Sequence, residues 1–315
     1  MRENIPMKNI FTALFFTLFS TYSWSSVDFE TRDFIVFINN QLRIEYRRLD
    51  PQFKEIEESS RPYASSTSAT ENTDTVTYAL HGFMGSPHEM NYALTNAKER
   101  GEVIFNDLII GYGANSKICN SIKKEMYYKQ MERNLNYLFT KFSKVNLIGF
   151  STGGLLITKY LLEHPKYLSK VNKLRLVSPY YFPHLSFAPG LGKLIVNFID
   201  QISIELFYRY TGFPDVEVMT LEPSHYPTHI PIKAALEIAD LSEEVRNNKR
   251  ILNELNDVEI YLTKEDQVLN FEKTVPFVNE IFPRAKVKTF EGKGYPHHLM
   301  APSVSKLADI IRNNL

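Results

Sequence analysis

Val145-Asn146-Leu147-Ile148-Gly149-Phe150-Ser151-Thr152-Gly153-Gly154-Leu155-Leu156-Ile157 is the stretch on which the fold turns. An apolar run of strand length enters a G-x-S-x-G pentapeptide and leaves it as an apolar run of helical character. Glycines at 149 and 153 let a strand bend sharply into a helix, and the bend leaves the serine hydroxyl standing at the helix N-terminus. A serine hydroxyl is a weak nucleophile until a base and an oxyanion site converge on it. Average Gly and Ser usage produces such a pentapeptide in roughly one chain in ten of this length, so the flanking strand and helix carry the discrimination.

Outward from this bend, short apolar runs alternate with amphipathic ones. Strands are expected at Thr75–Leu80, within Val103–Ile110, at Lys144–Phe150, Leu174–Ser178, Val258–Leu262 and Lys286–Phe290. Helices are expected at Ser86–Arg100, Lys123–Phe142, Thr152–His164, Phe271–Phe282 and Ser303–Leu315. In the second of these, Met131, Leu135, Leu138, Phe139 and Phe142 share one side, and Pro165 stops the third. This alternation predicts an α/β fold, a mostly parallel sheet with helices on both faces. It lapses between Pro179 and Asp257, where Phe182, Phe187, Leu191, Leu194, Phe198 and Phe207 fall among Tyr and Pro clusters. That length exceeds a simple crossover, so a helical cap inserted at about 180–256 is expected within a domain spanning 75–315.

Residues 26–74 read as an N-terminal helix, with Phe29, Phe34, Phe37, Ile38, Leu42 and Ile44 on one face, followed by a Ser/Thr-rich polar connection over Glu57–Asp74. Residues 1–25 have the layout of a signal peptide. Arg2 and Lys8 precede the apolar run Ile10–Phe19, and Ser23 and Ser25 bracket Trp24 before the cleavage point. Ten apolar residues are too few to cross a bilayer core, which takes about 20. Export to the periplasm or medium is therefore expected. The lone cysteine, Cys119, leaves no internal disulfide and has no base beside it.

The 315 residues carry 36 Lys+Arg against 36 Asp+Glu, a balance with no basic surplus for nucleic acid. With 43% hydrophobic and 23% charged residues, the composition excludes wholesale disorder and a polytopic membrane protein. Neither H-E-x-x-H nor a Cys/His ligand spacing occurs, so no metal and no organic cofactor is implied.

Partners for Ser151 are sought at the exits of the other strands. His81-Gly82-Phe83 ends the first strand, where the Phe83 amide, together with that of Thr152, can supply two oxyanion donors. His81 itself, ending a strand, is expected to bond to backbone. Asp266, in the loop after Val258–Leu262, is the expected acid, because a short carboxylate must hold and orient an imidazole. Glu265 is its neighbouring alternative, while Asp240 and Asp257 are read as solvated charges. The loop before the last helix offers two adjacent bases, His297 and His298, which the residues alone do not separate.

The order Ser151, Asp266, His297/His298 on alternating strands and helices resembles an α/β-hydrolase from about Thr75 to Leu315. The H-G-F-x-G-S stretch from His81, the Gly111-Tyr112-Gly113 loop, G-F-S-T-G-G from Gly149 and E-D-Q-V from Glu265 fall in that family's order. The His81-Gly82-Phe83 motif is similar to the carboxylesterase, monoacylglycerol-lipase and serine-aminopeptidase-like branch. The resemblance implies oxyanion amides at Phe83 and Thr152, although Met, Leu or Gln is more usual at the latter. It favours His297 as the base, since Pro296 precedes it and Leu307 follows ten positions on. The activity implied is that of an exported serine hydrolase on carboxylic esters of a lipophilic acyl group, monoacylglycerol-like. Lysophospholipids and amide or peptide bonds are alternative substrates. A weak membrane-surface contact through the cap is the remaining partner expectation. A non-catalytic binding protein on the same fold would have a broken triad or a blocked bend, and the sequence has neither.

Overall fold

Leu80 and Gly149 lie side by side in register at the C-terminal ends of two adjacent parallel strands, and this pairing determines where the site falls. The computed structural model describes residues 63–65, 74–112, 119–183, 202–203, 229–266, 268–292, 297, 300 and 307–314. Its strands are β1 (Tyr63–Ser65), β2 (Thr75–Leu80), β3 (Val103–Asp107), β4 (Lys144–Phe150), β5 (Val171–Val177), β6 (Ile202–Ser203), β7 (His229–Ile230), β8 (Val258–Thr263) and β9 (Lys286–Phe290). Seven of them form one sheet in the order β1-β3-β2-β4-β5-β8-β9, parallel except for β1. β6 and β7 make a separate antiparallel pair.

Side-chain alternation along each central strand sorts residues onto two buried faces, as a sheet covered on both sides requires. Val76, Tyr78, Val145, Leu147, Leu174, Leu176, Val258 and Ile260 face one layer. That layer contains α3 (Lys124–Lys141), α4 (Thr152–Glu163), α5 (Ile232–Asn247) and α6 (Phe271–Ile281). Ala79, Ile148, Phe150, Val177 and Tyr261 face the other, with α1 (Pro87–Asn91), α2 (Thr95–Glu99) and α7 (Leu307–Asn314). Each fully buried Leu, Ile or Val adds about 1.5–3 kcal/mol, so the core needs no disulfide.

The chain moves outward from β2 to β3, then returns past β2 to β4. Where the strand order reverses in this way, the C-terminal ends of the neighbouring strands splay their loops apart and leave a crevice. The loops after β2, β4, β8 and β9 all emerge at that end of the sheet.

Three elements differ from expectation. The polar connection expected over Glu57–Asp74 contains β1, an antiparallel edge strand whose three residues are too few to show alternation. The helix expected over Ser86–Arg100 is two short helices with a turn between them. Met90, Ala93, Leu94 and Ala97 keep a helical spacing across the break, so periodicity hides it. Helix α5 lies within the span expected as a cap, yet it packs on α3 and α4 through Ala234, Ile238, Leu241 and Val245. Its Ser242 hydroxyl and Arg246 guanidinium both donate to the Tyr181 carbonyl, tying the strand exit after β5 to the helical layer. Residues 184–201 and 204–228, the remainder of the cap span before β7, lie outside the described residues, as do 1–62.

Asp257 is more than a solvated charge. It accepts from the buried Arg175 guanidinium on β5 at 2.8 Å, which holds its carboxyl below the usual carboxylate range.

Candidate active site

Ser151 occupies the bend between β4 and α4 with φ 48° and ψ −112°, a left-handed backbone that a non-glycine residue enters at a cost of about 1–3 kcal/mol. Neighbouring strands keep it there. Its N–H donates to the Val177 carbonyl at 2.9 Å, and its carbonyl accepts the N–H groups of Leu155 and Tyr180, each at 3.1 Å. The first turn of α4 presses on the end of β2 so closely that a Cβ on Gly153 would stand 2.1 Å from the Leu80 carbonyl oxygen. Any side chain at 153 would force that turn away from β2.

Two loops complete the arrangement. The loop after β8 carries Asp266, 4% exposed, whose Oδ1 accepts the Val268 and Leu269 N–H groups at 2.8 Å each. The loop after β9 carries His297, 8% exposed, with its ring 5.4 Å from that of Phe150. His297 Nδ1 lies 2.8 Å from Asp266 Oδ2 and 3.0 Å from Oδ1, and its Nε2 lies 3.0 Å from Ser151 Oγ. A carboxylate only accepts, so Nδ1 carries the proton and Nε2 presents its lone pair to the serine hydroxyl. The structure therefore brings Ser151, Asp266 and His297 into one hydrogen-bonded line. Glu265 is exposed. His298 lies outside the described residues.

Thr152 follows the serine in the chain, and Gly82, the residue before Phe83, packs against it. A Cβ on Gly82 would stand 3.3 Å from Ser151 Cβ and 2.9 Å from the Phe150 ring, and this close approach brings the following peptide alongside Ser151. Among the described residues, neither the Phe83 nor the Thr152 N–H has an acceptor. Two amides left open beside a buried hydroxyl are the chemistry that a developing oxyanion needs.

In comparisons with known proteins, no protein-family model matches the chain and no curated protein matches it in sequence. Solved structures do resemble it. A metagenome-derived lipolytic enzyme superposes with TM-score 0.62 at 13% identity, over 82% of this chain and 96% of that one. The monoacylglycerol lipase of Paleococcus ferrophilus gives TM-score 0.59 at 16% identity, over 81% and 96%. A soluble variant of the monoglyceride lipase of Saccharomyces cerevisiae, solved with a substrate analogue, gives 0.61 at 13%, over 81% and 89%. The chain has the α/β-hydrolase fold.

Within this α/β-hydrolase fold, His81 is buried behind the site and wholly engaged with backbone, as expected. Its Nδ1–H donates to the Gly82 carbonyl at 2.8 Å, and its Nε2 accepts the Ile109 N–H at 3.0 Å. Burial pushes the imidazole down to about 4, against the opposing effects of the Glu89 charge and the Gly82 hydrogen bond. Two further buried acids, Glu89 and Asp107, belong to no motif in the sequence. Glu89 reaches back to the Gly82 N–H. Asp107, at the end of β3, accepts from Tyr78, Asn134 and the Leu108 amide, yet burial still pushes it up to about 6. Asp107 ends a strand that opens on Val-Ile-Phe, a weak signal for a buried acid, whereas Glu89 stands between His88 and Met90 and has none. Among the described residues no group of three His, Cys, Asp or Glu could hold a metal ion.

His81 and Asp107 act on stability with opposite signs. The unfolded chain takes a proton on histidine near 6.5, while folded His81 stays neutral down to about 4. That contribution is complete above 6.5 and is lost as pH falls. Folded Asp107 keeps its proton up to about 6 where the unfolded chain releases it near 3.8, so its contribution is complete below 3.8 and is lost as pH rises. Each spans about 3 kcal/mol, and across pH 4–6 they largely cancel. Asp107→Asn removes one slope. Urea unfolding across this range should show the variant losing about 2 kcal/mol more than wild type on acidification from pH 6 to 4. A pH-independent difference between the two proteins would mean that Asp107 titrates normally.

Proposed function

We propose that the protein is a serine hydrolase that cleaves carboxylic esters of lipophilic acids, monoacylglycerols among them, through an acyl-enzyme. The observation that carries this reading is the line from Ser151 Oγ through His297 to Asp266, at 3.0 and 2.8 Å, on an α/β-hydrolase fold. Ser151 Oγ attacks the acyl carbon and its proton passes to His297 Nε2, while the Asp266 carboxylate faces the imidazolium that forms. The carbonyl oxygen becomes an oxyanion that the Phe83 and Thr152 amides receive. On collapse the acyl–oxygen bond breaks, and His297 returns the proton to the leaving alcohol. Water then attacks the acyl carbon, gives its proton to His297, and releases the acid as Ser151 regains its hydrogen.

The similarity to lipases and monoacylglycerol lipases favours a lipophilic acyl group, and the layout of residues 1–25 favours export. A panel of p-nitrophenyl esters from acetate to palmitate, with a monoacylglycerol, a lysophospholipid and aminoacyl anilides, tests the substrate class. The longer acyl esters and the monoacylglycerol should turn over at about 1–10³ s⁻¹, and the anilides at least about 100-fold more slowly. A fluorophosphonate probe should label Ser151. Failure of both labelling and turnover in folded protein would exclude the serine mechanism, and faster anilide turnover would move the substrate class to amides.

A further inference from the structure

Glu89, on α1, is 7% exposed, and no step above uses it. Its Oε2 accepts the Gly82 N–H at 2.9 Å. A Cβ on Gly85 would come within 2.6 Å of the same oxygen, so the carboxylate fills the inside of the turn from Gly82 to Gly85. The Gly85 N–H closes that turn on the Gly82 carbonyl at 3.2 Å, and Met84 within it takes φ 61°. A buried carboxylate persists only where hydrogen bonds replace water, and here the bond goes to the loop beside the nucleophile.

The peptide unit between Gly82 and Phe83 is planar and trans, with the Gly82 carbonyl on one edge and the Phe83 N–H on the other. The carbonyl edge is held by His81 Nδ1–H and by the Gly85 N–H. The preceding peptide unit ends in the Gly82 N–H, and Glu89 holds that one. Glycine imposes little preference of its own on φ and ψ, so the rotation between these two planes is defined by what grips them. Gripping both planes fixes the direction of the Phe83 N–H.

We propose that Glu89 is a positioning residue for the oxyanion site, holding the Gly82 N–H so that the Phe83 amide points at the developing charge. The assignment rests on the serine-hydrolase reading. It predicts a loss in the chemical step, with binding spared.

The test compares Glu89→Met, of similar size but without an acceptor, with Glu89→Gln, which keeps a carbonyl for the Gly82 N–H. Rates are expressed per active site titrated with fluorophosphonate. Glu89→Met should lower kcat on an acyl ester by on the order of 30-fold, with KM within about twofold of wild type. A trifluoromethyl ketone, which adds to the serine and places an oxyanion in the site, should lose affinity by the same factor as kcat/KM. Glu89→Gln should recover kcat to within about threefold of wild type. If Glu89→Met does not fold, Glu89→Asp withdraws the acceptor by one methylene, keeps the charge, and should reproduce the kcat loss. The proposal is overturned by wild-type kcat per site in Glu89→Met or Glu89→Asp, by a loss confined to KM, or by Glu89→Gln falling as far as Glu89→Met. A wild type that neither labels nor turns over would defeat the hydrolase reading itself; an active wild type with indifferent Glu89 variants would defeat only this assignment.

Discussion

Ser151→Ala should yield a folded protein whose kcat on an acyl ester is lower by on the order of 10⁵- to 10⁶-fold. The substitution removes the attacking oxygen and little else. The left-handed backbone at 151 is held by the Val177, Leu155 and Tyr180 hydrogen bonds, all made by main-chain atoms, so the bend survives. His297→Ala should cost about as much, because a serine without its base is an ordinary alcohol, and the double variant should be no worse than either single one. Initial rates with purified variants, checked against active-site labelling, measure this. His298→Ala is the discriminating control. If it abolishes turnover while His297→Ala does not, the neighbouring imidazole is the base.

Asp266→Asn should lower kcat by on the order of 10⁴-fold with KM little changed. Asp266 Oδ1 already accepts the Val268 and Leu269 amides. An asparagine must keep its carbonyl oxygen there, because its NH₂ group would meet two N–H donors. Its NH₂ therefore turns toward His297 Nδ1 and can only donate. The imidazole answers by moving its proton to Nε2, where a lone pair had faced Ser151. The wrong tautomer offers a donor to a hydroxyl that must give up its own hydrogen. Raising the pH cannot restore the correct tautomer. The kcat loss should therefore persist from neutral to alkaline pH, and a pH profile that recovers wild-type kcat would show the loop rearranging instead.

Much of this arrangement is legible in the chain itself, and the physical reason is proximity in sequence. The bend at Gly149–Gly153 is local: its strand, glycines and helix are contiguous, so composition and order suffice. The loops holding Asp266 and His297 follow strands with clear apolar runs, and a parallel sheet brings all strand exits to one end. Glu89 and Asp107 are a different matter. Apart from the adjacent Leu108 amide, their partners lie seven to about thirty residues away, and for Glu89 the partner is a main-chain group, which no residue pattern advertises. Helix α5 carries an apolar face that would serve equally well in a cap or on the body. Only its seat against α3 and α4 distinguishes the two.

On the proposed mechanism, the positive φ at Ser151 also constrains which nucleophiles this scaffold accepts. Threonine carries the same alcohol, but its second branch at Cβ crowds a backbone in the left-handed region. Cysteine, unbranched and nearly the same shape, meets no such barrier. A lineage descending from this chain can thus drift toward thiol chemistry through one substitution, while the route to a threonine enzyme is closed by stereochemistry before reactivity is ever tested.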